Sequence, residues 1–365
     1  MKPDPANRSL RSPYLIAEAG TSHGGDLSRA LEIIAAAVES GADCVKFQHV
    51  YADEIIHPRT GLVPLPGGDT PLYEVFRSLE TGPEFLARLQ EEAQARGVDF
   101  LCTPFGLRSL SELIEGGVKR VKIASPELNH LPLLREAATR GVDCILSTGV
   151  SRLGDIEEAL AVLGEGSHML MHCVTSYPAP PEEYNLRLLP LYGRLFGLPV
   201  GISDHSLDPE LVPLCGMLVE CRALEKHFTL DTSGGGLDDP VALDPEGFST
   251  LARALKAAEG LPAEELQESL CKQFGEKRIE AVLGDGRKIL APSEASNYGR
   301  TNRSIHALTR IEAGETLREG NIALLRTEKI LTPGLHPRYL PHVLGRKAER
   351  RIEAGEGLRW EDILR

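Results

Sequence analysis

The feature that most constrains the fold is a short motif that recurs three times in the first 150 residues. A glycine, an alanine or valine, and an aspartate lead into an apolar run at Gly41–Phe47, Gly97–Thr103 and Gly141–Ser147. An amphipathic stretch precedes each glycine, and before Gly41 the residues Leu31, Ile34 and Val38 recur at helical spacing. A glycine past a helix end supplies a left-handed cap, and an unbroken apolar run indicates a parallel strand buried on both faces. The motif therefore predicts a repeated helix-to-strand unit.

Eight strand-like runs follow this pattern, at 14–20, 44–50, 99–105, 120–125, 143–149, 168–174, 199–205 and 223–229. Helical patterns follow most of them, near 28–40, 83–96, 107–116, 131–140, 154–164, 185–196, 208–218 and 246–259. Eight strand–helix units in about 250 residues are typical of a (β/α)₈ TIM barrel. A doubly wound open sheet is the alternative, but it needs fewer strands and usually a Gly-rich phosphate loop, which the sequence lacks.

A second repeat marks the end of the chain. The nonapeptides Arg310–Arg318 and Arg351–Arg359 are nearly identical, which predicts a small β-rich domain with internal pseudo-symmetry. We therefore divide the chain into a barrel at 1–262, a partly helical linker at 263–300 and a tail domain at 301–365. The long Pro/Gly-rich excursion at 51–82 is predicted to be a lid or binding loop.

Composition excludes several classes of partner. The net charge of −13 disfavours nucleic acid and anionic membranes, and no apolar run reaches the ~20 residues of a membrane span. The N-terminus lacks the apolar core of a secretory signal.

Seven cysteines without a CxxC pair suit no disulfide framework. We expect a cytoplasmic protein whose cysteines are free, mostly buried thiols.

The predicted strand ends are polar, and barrel enzymes place their active sites there. Lys46 and Lys122 lie within runs that should be buried on both faces, so they need anionic partners. Hydroxyl residues accompany them at Thr103, Ser125, Ser147, Thr175 and Ser203. Such hydroxyls can also be helix N-caps, and a single lysine can point outward. Two lysines and several hydroxyls at one mouth nevertheless favour a site for a small phosphorylated carboxylate.

Two histidines end adjacent predicted strands. His205 and His227 can converge, and such a pair with added carboxylate or water suits a divalent metal such as Mn, Zn or Fe. His172 is more typical of a core or supporting residue. His23 is open between a metal ligand, a substrate contact and a cap.

In chain order, the strand-end segments are Ala17–Gly24, Val45–Gln48, Thr103–Phe105, Lys122–Glu127, Ser147–Gly149, Tyr177–Pro178, Ser203–His205 and Glu225–Thr229. This series resembles the sialic acid synthase family, which includes N-acetylneuraminate, legionaminate and pseudaminate synthases and a spore-coat polysaccharide protein. The tail resembles the antifreeze-like (SAF, β-clip) domain that closes these enzymes.

The resemblance implies a transferase that condenses phosphoenolpyruvate with an N-acyl amino-sugar aldehyde to a nine-carbon 2-keto acid and phosphate. It implies phosphoenolpyruvate contacts at Lys46, Thr103, Lys122, Ser125, Ser147, Thr175 and Ser203. It implies metal ligands at His205 and His227, with Mn²⁺ expected and Mg²⁺ or Co²⁺ as alternatives. Sugar contacts are implied at Gln48, Glu127, Tyr177, Asp238 and Arg326. The family further implies a domain-swapped homodimer, in which Arg326 reaches the partner's site.

Two departures concern the site. Thr175 stands where some family members have Asn, and Gly234–Asp239 replaces a Pro-Gly-Pro-Asp-His stretch. Either Glu18 or Glu127 is expected to deprotonate or orient the attacking water. Two alternatives stay open: a Schiff-base aldolase using Lys46 or Lys122, and a non-catalytic saccharide-binding or coat protein.

Overall fold

The computed structural model describes residues 9–65 and 68–364 and confirms the predicted TIM-type barrel followed by a small β-rich domain. The eight parallel barrel strands are β1 (Tyr14–Gly20), β2 (Cys44–His49), β3 (Asp99–Pro104), β4 (Arg120–Ile123), β5 (Asp143–Ser147), β6 (Met169–Cys173), β7 (Val200–Asp204) and β8 (Ala223–His227). They hydrogen-bond in the order β3-β2-β1-β8-β7-β6-β5-β4. The edge strands β3 and β4 lie beside each other, so the sheet curls into a nearly closed barrel.

Helices surround the strands. They are α1 (Leu27–Glu39), α2 (Pro83–Ala95), α3 (Leu107–Glu115), α4 (Leu131–Thr139), α5 (Leu153–Leu163), α6 (Leu188–Phe196), α7 (Leu211–Leu218) and α8 (Pro245–Ala258). In α1, Asp26 caps the first turn by accepting a hydrogen bond from Arg29 N at 3.2 Å. The buried face of α1 packs on the sheet through Ala30, Ile33, Ile34 and Ala37.

The recurring motif has a structural reason at two of its positions. Gly41, Gly97 and Gly141 have φ values of +95°, +72° and +65°, so they end their helices in the left-handed region as predicted. The aspartates bind the start of a neighbouring chain segment. Asp43 accepts a hydrogen bond from Leu15 N at 2.8 Å, and Asp143 accepts one from Ser167 N at 3.0 Å. The glycine thus ends each helix, and two of the three aspartates bind the backbone of a neighbouring segment, at or just before a barrel strand.

The segment predicted as a linker is largely helical and packed. It contains α9 (Ala263–Phe274), which packs on α7, and α10 (Glu276–Leu283), which packs on residues 181–183. The excursion after β2 forms a short helix (Ala52–Ile55), a hairpin (Leu62–Leu65 with Gly68–Pro71) and a second helix (Leu72–Ser78).

The tail domain is built on its internal repeat. Strands β9 (Arg303–Ala307) and β10 (Ile322–Arg326) are antiparallel, and Arg303 pairs with Arg326 in their register. The two nonapeptides pair with each other through reciprocal backbone hydrogen bonds of 2.9 Å between Ile311 and Ile352. Ile311 and Ile352 are the second residues of their nonapeptides, so the two copies pair at equivalent positions, as the predicted pseudo-symmetry requires.

All seven cysteines are free, and no helix of the described residues is long and apolar enough to cross a bilayer.

Candidate active site

All of the predicted site residues except Glu127 line one cavity at the carboxyl ends of the barrel strands. Its volume is about 350 Å³. It is lined by Glu18, Lys46, Gln48, Thr103, Lys122, Ser125, Ser147, Thr175, Tyr177, Ser203, His205, His227, Asp238 and Arg326. A larger groove of about 840 Å³ surrounds Tyr14 and Arg222 at the opposite end of the barrel, away from the face where such folds place their chemistry.

The floor of the cavity is a buried cluster of two lysines and two carboxylates. Lys46 Nζ lies 3.2 Å from Glu18 Oε2 and 3.1 Å from Glu225 Oε1. Lys122 Nζ lies 3.5 Å from Glu225 Oε1 and donates a hydrogen bond to Ser147 Oγ at 2.6 Å. These four charged side chains are each at most 5% exposed, so the protein holds nearly balanced charge out of water.

This environment shifts the pKa values in different directions. Burial raises the pKa of Glu18, although the Lys46 charge opposes the shift. Burial lowers the pKa of Lys122, and the charge of Glu225 only partly offsets it. The pKa of Glu225 lies well below its usual range because the Lys122 and Lys46 charges outweigh the effect of burial. Glu225 is therefore ionised, whereas Glu18 retains a proton more readily than an ordinary carboxyl.

Hydroxyl groups surround the cluster. Ser203 Oγ donates to Glu225 Oε1 at 2.9 Å, and Ser125 Oγ accepts from Gly149 N at 3.1 Å. Thr103 Oγ1 is buried without a hydrogen-bond partner in the described residues, as is Glu225 Oε2. A buried polar atom without a partner is costly, so an unpaired hydroxyl facing this cavity suits a polar ligand.

The two predicted metal ligands lie side by side above this floor. The ring centres of His205 and His227 are 5.4 Å apart, and the Tyr177 ring stacks on His205 at 4.2 Å. His205 Nδ1 lies 2.9 Å from the Val174 carbonyl oxygen, which can only accept. Nδ1 therefore carries the hydrogen and leaves Nε2 as the nitrogen able to bind a metal.

His227 is the second predicted metal ligand. Burial lowers the pKa of His227 to about 4, so its ring is neutral, as metal binding requires. Asp238 Oδ2 is 3.9 Å from His227 Nδ1. The described residues contain no group of three or more His, Cys, Asp or Glu side chains that could hold a metal ion by themselves. A metal at the His205–His227 pair would therefore need further ligands from water or substrate.

Glu127 is the one predicted site residue that the structure keeps out of the cavity lining. Its side chain is fully buried beneath the tail domain. Arg303 donates to Glu127 Oε1 at 2.9 and 3.1 Å, and Arg326 donates to Oε1 at 2.9 Å and Oε2 at 2.8 Å. Because two guanidinium groups occupy its oxygens, Glu127 anchors the tail domain, whereas Glu18 lines the cavity.

Other predicted residues take distinct positions. Gln48 lines the cavity and donates to Glu18 Oε1 at 2.8 Å. His23 does not line it and instead caps the turn after β1, where its Nδ1 accepts from Gly25 N at 3.0 Å. His172 is buried and bonds the Tyr184 carbonyl. Arg326 reaches the cavity of its own chain, and the domain-swapped homodimer stays a prediction.

Sequence reasoning missed two carboxylates that line the cavity, Glu225 and Glu328, and one that supports it from outside, Glu294. Glu225 was detectable, since alternation along β8 places Glu225 and His227 on one face and Lys226 on the other. Lys226 indeed points away and pairs with Asp204 at 2.7 Å. Glu294 and Glu328 come from the last third of the chain, and no local pattern marks them.

Residues 33–265 match the NeuB family, and residues 302–364 match the SAF domain. The spore coat polysaccharide biosynthesis protein SpsE of Bacillus subtilis is 35% identical over 96% of this chain and 93% of its own. Its crystal structure superposes with a TM-score of 0.80, covering 98% of this chain and 97% of that chain at 33% identity.

Two further relatives carry enzyme names. The N,N'-diacetyllegionaminic acid synthase of Legionella pneumophila is 32% identical over 96% of this chain and 94% of its own. A crystal structure of N-acetylneuraminic acid synthetase from Leptospira borgpetersenii in complex with citrate has a TM-score of 0.62 and 29% identity, covering 79% of this chain and 90% of that chain. The match to the family over most of the barrel, and the likeness over nearly the whole chain, show that this protein belongs to the NeuB family and contains a SAF domain.

Proposed function

We propose that this protein condenses phosphoenolpyruvate with an N-acyl amino-sugar aldehyde, giving a nine-carbon 2-keto sugar acid and phosphate. The observation that carries the proposal is the joint placement of Lys46 and Lys122 on the cavity floor and the His205–His227 pair at its wall. Relatives named as legionaminic and sialic acid synthases support the reaction class.

The floor suits a small anion rich in oxygen. Lys122 and the hydroxyls of Ser125, Ser147, Thr175 and Ser203 supply donors for a carboxylate and a phosphate. Charge-assisted hydrogen bonds of this kind are worth about 1.5–3 kcal/mol each. By fixing both ends of phosphoenolpyruvate, these groups would hold its nucleophilic methylene carbon in a reactive geometry toward an aldehyde above it.

The histidine pair would hold a divalent metal, Mn²⁺ by preference and Mg²⁺ or Co²⁺ as alternatives. When bound, the metal supplies Lewis-acid polarisation of the aldehyde oxygen. Once the methylene carbon has bonded to the aldehyde carbon, the carbon that bears the phosphate oxygen is electron-poor. Water attacks that carbon, and phosphate then leaves to give the keto group.

Glu18 is the proposed acid–base residue for that water. It lines the cavity, and burial raises its pKa, which moves a carboxyl toward the range useful for proton transfer near neutral pH. Gln48 would orient Glu18 through their 2.8 Å hydrogen bond. Glu127 is engaged by two arginines and is not assigned this role.

The outer part of the cavity favours an acceptor without a negative charge. Asp238 and Glu328 line it, and the only arginine among its described lining residues, Arg326, is bound to Glu127. Glu328 Oε1 is 3.9 Å from Arg326 Nη1. Hydroxyl and amide groups of a sugar can donate to these carboxylates, whereas a sugar phosphate would meet like charge.

Phosphate release from phosphoenolpyruvate tests the proposal. The enzyme, loaded with Mn²⁺, is assayed across a panel of hexosamine and diamino-sugar aldehydes, with mass detection of the nine-carbon product. We expect release that depends on both acceptor and metal. Absence of release with every acceptor would leave the saccharide-binding or coat role as the better explanation.

One observation favours a second reaction. Burial lowers the pKa of Lys122, and a lysine with a lowered pKa is a better amine nucleophile. A Schiff-base aldolase would be trapped at Lys122 by borohydride in the presence of pyruvate and would keep its activity in chelator. The condensation reaction predicts no trapped adduct and loss of activity in chelator.

A further inference from the structure

The segment between α10 and β9 binds the backbone of the turn that follows β5. Lys288 Nζ donates to the Thr148 carbonyl at 3.1 Å, and Asn302 Nδ2 donates to the Val150 carbonyl at 3.1 Å. Glu294 Oε2 accepts from Val150 N at 2.9 Å. Three side chains from one segment therefore fix a single turn beside the cavity.

That turn has a conformation that needs support. Val150 has a φ of +39°, and a β-branched residue rarely adopts positive φ. Such a backbone persists only where its surroundings hold it in place. Glu294 binds the amide of Val150 and Asn302 binds its carbonyl, so both polar groups of the unusual residue are satisfied by this segment.

The same carboxylate oxygen also holds the end of β6. Glu294 Oε2 accepts from Thr175 N at 2.8 Å, so one buried oxygen joins the segments that follow β5 and β6. The packing between them is close, since a Cβ added to Gly149 would lie 2.0 Å from Thr175 Oγ1 and 2.9 Å from Ser125 Oγ. A small shift of either segment would therefore change the spacing of these hydroxyls.

The other oxygen of Glu294 fixes its orientation. Oε1 accepts from Ala291 N at 3.3 Å, and the residue is only 1% exposed. The amides of Val150 and Thr175 both donate to one atom, so the residue at this position must supply an acceptor oxygen there. Aspartate is one methylene shorter, so its oxygens would lie farther from both amides if the backbone stayed in place.

We propose that Glu294 is a positioning residue that sets the spacing of the Ser125, Ser147 and Thr175 hydroxyls and thereby the affinity for phosphoenolpyruvate. The inference rests on the proposed function of this cavity. Glu294 does not line the cavity, and it lies more than 100 positions along the chain from the two amides that it binds. Its proposed effect is on the binding of the anionic substrate.

Variants at Glu294 test the proposal. Glu294→Ala removes the shared acceptor, and a displacement of the hydroxyls by a fraction of an ångström to 1 Å should raise KM for phosphoenolpyruvate about 10- to 100-fold. KM for the acceptor sugar should change less than about twofold, because the sugar side keeps its contacts. Glu294→Gln retains one oxygen acceptor and should fall between wild type and Glu294→Ala.

Glu183→Ala is the matched control. Glu183 Oε2 accepts from Ser293 N at 2.9 Å, so it also joins the barrel to this segment through a carboxylate and an amide, but it contacts neither turn. Its loss should leave both KM values unchanged. Melting temperatures of all variants separate a general loss of stability from the specific effect, and Glu294→Gln carries the test if Glu294→Ala does not fold.

Calorimetric binding of phosphoenolpyruvate separates this inference from the proposed function. If wild type binds phosphoenolpyruvate but never condenses it, the proposed reaction is wrong, and the binding constants of the variants still decide the role of Glu294. If folded Glu294→Ala and Glu294→Gln bind phosphoenolpyruvate as tightly as wild type, the positioning role is refuted. An equal rise of KM for both substrates would also overturn the positioning role, since it would indicate a general structural effect.

Discussion

Lys46 and Lys122 are held differently on the cavity floor, and the difference predicts unequal effects of removing them. Lys46 contacts two carboxylates, Glu18 at 3.2 Å and Glu225 at 3.1 Å. Lys122 has only the Glu225 contact at 3.5 Å and a hydrogen bond to Ser147. The charge of Lys122 is therefore less neutralised within the protein, and we expect it to contribute more to binding an anionic substrate.

The magnitudes follow from these contacts. Lys122→Met removes a charge-assisted hydrogen bond worth about 1.5–3 kcal/mol, which corresponds to an increase in KM for phosphoenolpyruvate of about 10- to 150-fold. Lys46→Met leaves two buried carboxylates without their shared cation, and breaking a buried ion pair typically costs about 3–5 kcal/mol of stability. Protonation of Glu18 offsets part of that cost because burial already raises its pKa.

Steady-state phosphate release at saturating acceptor, together with urea unfolding, checks both expectations. Lys226→Met is the matched control, since Lys226 is a buried lysine paired with Asp204 that does not line the cavity. It should lower stability and leave KM unchanged. A larger KM increase in Lys46→Met than in Lys122→Met, with both variants folded at the assay temperature, would refute the reasoning.

Burial, reinforced by the Arg303 charge, lowers the pKa of His130 in the folded protein to about 3. In the unfolded chain the pKa of this histidine is about 6.5, so as the pH falls the unfolded chain takes up the proton first. Going from pH 7.5 to pH 5 should remove about 2 kcal/mol of stability through this group, and His130→Asn, which keeps a capping side chain, should reduce the loss in urea titrations. Chelation, or a His205→Ala/His227→Ala double variant, should abolish phosphate release, and full activity in either case would exclude a metal at this pair. Wild type should prefer an unphosphorylated acceptor over its 6-phosphate by kcat/KM, and Glu328→Gln should narrow that preference; a wild-type preference for the phosphate would contradict the charge argument.

Much of the barrel was predictable because its determinants are local. The glycine that ends a helix and the apolar run after it lie within seven residues of each other, as at Gly41–Phe47. Because parallel strands bring their carboxyl ends to one face, Lys46, Lys122, His205 and His227 could be placed together without any knowledge of long-range contacts.

The rest depends on contacts between distant parts of the chain. Glu294 lies 119 residues from Thr175, and Arg303 lies 176 residues from Glu127. No local pattern records that a carboxylate late in the chain binds a turn of the barrel. The position of Glu127 was unpredictable for the same reason, because its two arginine partners belong to a domain whose docking the sequence does not specify.

Whether Arg326 serves its own chain or a partner is open to a direct test. A tail domain of about 60 residues is small for independent stability, so it must dock. In the structure it docks on its own barrel through the contacts of Arg303 and Arg326 with Glu127. A domain swap would form the same contacts between two chains, and the family resemblance leads us to expect that arrangement.

Complementation distinguishes the two arrangements. Arg326→Ala and His205→Ala chains should each be inactive. In a swapped dimer, random exchange makes half of the dimers mixed, and each mixed dimer has one intact site, so roughly a quarter of wild-type activity should return. The control mixes wild type with chains that carry both substitutions. A swap lowers wild-type activity in that mixture because each mixed dimer has no intact site, whereas a tail that serves its own barrel leaves it unchanged. No recovery in the first mixture and no loss in the second, with subunit exchange shown by mass, would assign Arg326 to its own chain.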